Sequence, residues 1–209
     1  AVHERTRRVI EVADEQSSSA SAADALGQRL EMEQIEARSG GDLHQPSVLE
    51  TYRYSPAVHL DGRLRLAVER HSDAWWELRS PQLSLFGDPT DGSIAVVGSD
   101  WRLRHCCDGP LDDRWQLGLH RRPPDLTDAR RVPRSTMLWN TSVWCSRGRL
   151  ADTIDPFSAT SLRAWPDLTR VALTPGALPA IALLTRSQHR PVDVPDLLDL
   201  PRTHVFVVL

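Results

Sequence analysis

The feature that most limits the fold is the spacing of prolines in the last stretch of the chain, Thr174 to Leu209. Proline inside a helix removes a backbone donor and clashes with the preceding turn, so one long helix is ruled out; at the first helical position it costs nothing. Three short segments result. Thr174, an N-cap residue, followed by Pro175 predicts a helix running to about Ser187, with Ala177, Leu178, Ile181, Ala182 and Leu184 on its apolar face. Asp193 or Val194 before Pro195 starts a second, with Leu197, Leu198 and Leu200 apolar. Pro201 stops that helix and opens a third from Arg202, with Val205, Phe206, Val208 and Leu209 apolar. The β-branched run THVFVVL also suits a strand, but the proline spacing favours helix.

Helix, break, short helix, tight turn, helix is an order that resembles a helix-turn-helix or the helical part of a winged helix. The resemblance implies a DNA-reading helix beginning at Arg202, with Arg186, Arg190, Arg202 and His204 as its basic contacts. Asp193, Asp196 and Asp199 stand beside that helix and would repel phosphates. The third segment has hardly a polar face, and no wing is expected after it.

The start of the chain reads as strand, helix, strand: RVIEVAD at Arg8 to Asp14, a helix through Ala23, Leu26 and Leu30 capped near Ser17 to Ser19, then MEQIEA. This resembles the first βαβ unit of a response-regulator receiver domain, with Asp14 and Glu15 in the place of its metal-binding acids. A working receiver also needs a phospho-accepting Asp after a later strand and a Lys near its end, so the resemblance implies a degenerate form. Residues 37–47 are polar and Gly-rich, a candidate linker or loop.

From Tyr52 to Cys107 the pattern turns strand-like. LRLAVER at Leu64 to Arg70 alternates, and AWWELR (Ala74 to Arg79), LSLF (Leu83 to Phe86) and SIAVVG (Ser93 to Gly98) follow. Asp61-Gly62, Ser72-Asp73 and the run from Gly87 to Gly92 are turn formers, so an antiparallel meander is expected. Trp75 and Trp76 are adjacent and must face opposite sides of a strand, one of them in the core. His105 to Ser135 reads as a connector with one short strand at Trp115 to Leu119. A helix from Ser135 to the Gly148 C-cap carries Met137, Leu138, Thr141, Trp144 and Cys145 on one face. Phe157, Leu162, Trp165, Leu168 and Val171 are expected to pack the last helices onto it.

Composition excludes more than the motifs assign. All 25 basic residues are arginine, and without lysine there is no Walker phosphate loop, Schiff base, Ser-Lys pair or kinase site. Net charge is −3, which argues against a nucleic-acid footprint along the whole chain. The cysteines Cys106, Cys107 and Cys145 have no CxxC spacing, so His105, Cys106, Cys107 and Asp108 are not expected to hold a metal. Asp88, Asp91, Asp112 and Asp113 lie in turn-forming sequence, and no GxSxG occurs. No catalytic set and no cofactor are expected. No apolar run approaches a membrane span, and the chain start lacks a signal-peptide core, so a bacterial cytoplasmic protein is the expectation.

The expected fold class is α+β, with an α/β and antiparallel β-meander part at residues 1–132 and a helical part at 133–209 that holds the helix-turn-helix-like segment 174–209. The expected function is a non-catalytic regulatory or scaffolding adaptor, binding another protein or itself through Trp75, Trp76, Val205, Phe206 and Leu209. The alternatives are a DNA-binding transcription regulator and a degenerate receiver-like signalling protein.

Overall fold

The computed structural model describes residues 33–34, 41–127, 129–168, 173–174 and 176–209. The receiver-like reading, with Asp14 and Glu15, lies outside them, as do residues 37–40 of the candidate linker. The fold is α+β, an antiparallel five-stranded sheet with helices packed on it and on each other.

The meander forms where alternation predicts it: β2 (Trp75–Arg79), β3 (Ser84–Gly87) and β4 (Ser93–Val97), following a short β1 (Arg53–Tyr54). Trp76, Leu78, Leu85, Ile94 and Val96 are buried on one face. Gly87 lies against the Trp76 indole, where a Cβ would come within 2.0 Å of the ring, so the position admits no side chain. The loop from Gly87 to Gly92 is held by its own aspartates: Thr90 N–H donates to Asp88 Oδ1 and Ser93 N–H to Asp91 Oδ1, each at 2.8 Å. Two further strands flank the meander, β5 (Gln116–His120) and β6 (Arg130–Pro133), giving the order β5-β2-β3-β4-β6 with every pairing antiparallel.

The expected strand at Leu64 to Arg70 is instead part of a helix. Helix α2 runs Leu60–Arg70, after α1 (Pro46–Thr51) and a 3-10 turn at Pro56–Val58. LRLAVER satisfies a two-residue and a 3.6-residue period at once. Leu60, Leu64 and Ala67 form a buried helical stripe, which covers the apolar face of the sheet, and Asp61-Gly62 is its first turn rather than a hairpin. Helices α3 (Asp100–His105) and α4 (Arg134–Ser146) cover the same face through Leu103, Met137 and Cys145. Residues 41–47 are not a free linker, because Leu43 is buried and Pro46 begins α1.

The C-terminal stretch folds as α5 (Ala177–Arg186), α6 (Val194–Leu198) and α7 (Arg202–Phe206), so the final segment is helical. Thr174 does not cap α5, which begins at Ala177; its hydroxyl donates to the His204 carbonyl at 3.4 Å and ties the start of α5 to α7. Val205 and Phe206 sit in a second hydrophobic cluster with Ile181, Leu184, Val192 and Val194.

The two clusters do not divide at residue 132. Leu43, Leu49 and Tyr52 pack with the C-terminal helices, whereas Met137 and Cys145 of α4 pack with the sheet. Trp144 touches both clusters. The segment from 151 to 168 joins the helical body through Ile154, Leu162 and Leu168, while Phe157 and Trp165 are exposed. The seam between clusters is held by β1 and β7 (Leu150–Ala151), a two-stranded parallel pair. Gly148 makes the turn into β7 at φ +77°, and a Cβ there would meet Thr203 of α7 at 2.5 Å, so only glycine meets both demands.

Candidate functional site

A five-stranded open sheet has two edges, and the two here are built differently. Edge strand β6 has the sequence RRVP. Pro133 has no N–H to offer, Arg130 pairs with Asp100 of α3, and Arg131 donates to Asp88 (2.7 Å), Asp91 (3.0 Å) and Ser93 (3.2 Å). Proline and fixed charges on an edge discourage a further strand. Asp88 is buried, and burial pushes its carboxyl up, but hydrogen bonds from Thr90 and Arg131 outweigh that and hold it below the usual carboxylate range. Asp91 is likewise held low, chiefly by its hydrogen bonds from Ser93.

Edge strand β5, QLGLH, has none of these guards. Its register sets Leu119 opposite Trp76 and Leu117 opposite Leu78, so both leucines point to the apolar face of the sheet. There they overhang its margin, 60% and 46% exposed. On the other face Glu77 is anchored to the strand by His120 at 3.1 Å and to β3 by the Ser84 hydroxyl at 3.0 Å. The backbone groups of β5 that face away from β2 meet no other strand among the described residues. Immediately after β5, Arg121 and Arg122 are exposed, and neither makes an ion pair or hydrogen bond within the described residues. Before it, a cleft of about 330 Å³ lies between the β2–β3 turn and the loop entering β5, lined by Ser80, Gln82, His105, Cys106, Leu111 and Trp115.

The residues expected to form a partner surface are distributed otherwise. Trp76, Val205 and Phe206 are about 1% exposed or less and belong to the protein's own cores. Trp75 and Leu209 are half-buried and lie on different bodies, so the set offers no continuous surface. The physical reason is size: α7 is five residues long and plugs the helical cluster with both of its large apolar side chains.

The basic residues of the DNA alternative also separate. Arg186 is exposed at the end of α5; Arg190 pairs with Asp193 at 2.6 Å. The Arg202 guanidinium packs over the Tyr52 ring at 5.5 Å and bonds the Gly41 carbonyl. His204 is half-buried. The last helix therefore holds its arginine inward across α1 instead of presenting it to a groove.

His105 pairs with Asp108 at 2.8 Å, and all three cysteines are free. Burial raises the Cys106 thiol; the hydrogen bond with Cys145, then burial, raises Cys107. No metal-holding cluster occurs among the described residues, and no helix among them is long and apolar enough to cross a membrane. No protein-family model, curated protein or solved structure matches the chain.

The signal that would have found β5 is in its sequence. Leu117 and Leu119 flank a glycine, carry no charge between them and are followed by an arginine pair. The short strand expected at Trp115 to Leu119 forms as β5, and its place at the sheet edge makes it a candidate site.

Proposed function

We propose that the protein is a non-catalytic adaptor that takes an extended segment of another protein as a sixth strand beside β5. The observation that carries this reading is the contrast within one sheet: β6 is guarded by proline and ion-paired arginines, and β5, with two exposed leucines, has no further strand beside it among the described residues. Strand addition uses backbone hydrogen bonds for affinity and alternate side chains for choice of partner. Because every pairing in the sheet is antiparallel, the guest runs antiparallel to β5. Its amino end then lies beside Arg121 and Arg122, which selects acidic residues there, and alternate apolar side chains cover Leu117 and Leu119. A bacterial cytoplasmic setting belongs to the same proposal and is supported by three cysteines that stand free.

The test uses a synthetic peptide with two acidic residues at its amino end followed by alternating Val and Thr, titrated into isotope-labelled protein. Amide shifts concentrated in β5 and β2 are expected, with binding lost in the double variant Leu117→Lys, Leu119→Lys and weakened in Arg121→Glu, Arg122→Glu. Shifts elsewhere, or affinity indifferent to both variants, sink the proposal. Sedimentation of the free protein decides between a foreign guest and a second copy on β5.

A further inference from the structure

A second opening lies at the seam between the two clusters, far in character from the sheet edge. It is a cleft of about 310 Å³ lined by Tyr54, Asp61, Arg65, Ser142, Arg149 and the apolar side chains of Ile154, Phe206, Val207 and Leu209. Small-molecule sites of this kind combine an apolar wall with a few convergent polar groups.

The polar groups are arranged around an acid. Asp61, in the first turn of α2, is 2% exposed; Tyr54 donates its hydroxyl to Asp61 Oδ2 at 3.0 Å. Asp61 Oδ1 is the one buried side-chain oxygen among the described residues with no hydrogen-bond partner. Burial raises the Asp61 carboxyl above its ordinary value, against the hydrogen bond from Tyr54. Burial chiefly, then the charge of Asp61, also raises the Tyr54 phenol well above its ordinary value, so it stays protonated.

Two arginines flank this pair. Arg149 is fixed in place: its guanidinium donates to the Ser146 and Cys145 carbonyls at 3.0 and 3.3 Å and lies over the Tyr54 ring at 5.6 Å. Arg65 is exposed, one turn along α2 from Asp61, and its guanidinium donates to Ser142 Oγ at 3.4 Å. It has no carboxylate partner among the described residues. A positioned guanidinium beside an exposed one, next to an apolar wall, is a setting for an anionic head with an apolar tail.

We propose that the seam cleft binds a small organic acid, its carboxylate or phosphate between Arg65 and Arg149 and its apolar body against Ile154, Val207 and Leu209. Occupancy would link the two clusters, since the ligand touches α2 of one and the α7 end of the other. The proposal is independent of the β5 edge and stands or falls without it.

The probes are phenylacetate and phenyl phosphate, with phenylacetamide as the neutral counterpart, followed by thermal unfolding and amide shifts of the wild-type chain. At least one acid is expected to raise Tm and shift the amides of residues 61–65 and 149–154, while phenylacetamide does neither. Arg65→Gln, a surface change that leaves the fold intact, is expected to weaken binding by about tenfold, as loss of a charge-assisted contact does. Arg65→Lys should recover part of that loss. Equal response to acid and amide, no response to either acid, or equal affinity in Arg65→Gln overturns the proposal; the circular dichroism of each variant separates a binding loss from misfolding.

Discussion

Edges β5 and β6 border the same sheet and differ in how each meets water. On β6, one arginine binds three acceptors on the loop and strand beside it, and proline removes a donor from the edge. On β5, two leucines project past the core they should be covering. An open apolar edge is an aggregation hazard that proteins usually blunt. The proposed guest strand rests on this difference: among the described residues one edge is blunted and the other meets no further strand.

The contrast can be broken in several ways. The strongest change acts on what both edges share: Trp76 is central to the sheet core and 1% exposed, so Trp76→Ala should cost about 3–5 kcal/mol and lower the urea midpoint without changing which edge is guarded. Next, Arg131→Leu removes one of the guards of β6 and leaves the buried Asp88 carboxylate with only its Thr90 contacts; a loss of about 1–3 kcal/mol is expected. The same variant sharpens a pH dependence. Asp88 and Asp91 have folded pKa values below the ordinary 3.8. The stability they contribute is fully present above the unfolded carboxylate value and is lost as pH falls through the folded one. An acid titration of Tm should therefore show a steeper fall below about pH 4 in the wild type than in Arg131→Leu. The smallest effect on stability belongs to Leu119→Lys, within about 0.5 kcal/mol because the side chain is mostly solvated already. Yet that variant should abolish guest-strand binding. If Leu119→Lys destabilises the fold as much as Arg131→Leu, β5 is an ordinary structural edge and the comparison fails.

Much of the architecture could be read from residues. Alternation in AWWELR and SIAVVG, with Asp and Gly between runs, placed β2 to β4 to within about a residue or two. Proline spacing placed α6 and α7, and the α4 stripe at Met137, Thr141 and Cys145 is buried. Leu64 to Arg70 was misread because its apolar residues fit both periods, and what selects helix is the need to cover the sheet. Val205 and Phe206, expected at a partner surface, are buried for a related reason. Val205 and Phe206 look sticky in a short terminal segment, but a segment so short has no second face to bury, so its apolar residues go inward. The Asp61–Tyr54 pair was out of reach: seven residues apart in sequence, they line a cleft only when Arg149 and Phe206 are folded against them.

By itself the sequence determined the local units, since caps, prolines and periodicity act within a few residues. It also ruled out lysine chemistry, which depends on composition alone. Tertiary structure decided which strand stands at the sheet edge among the described residues, which tryptophan was buried and which arginines faced a cleft. These depend on contacts between segments as far apart as Tyr54 and Arg149, and no local pattern encodes where a distant neighbour ends.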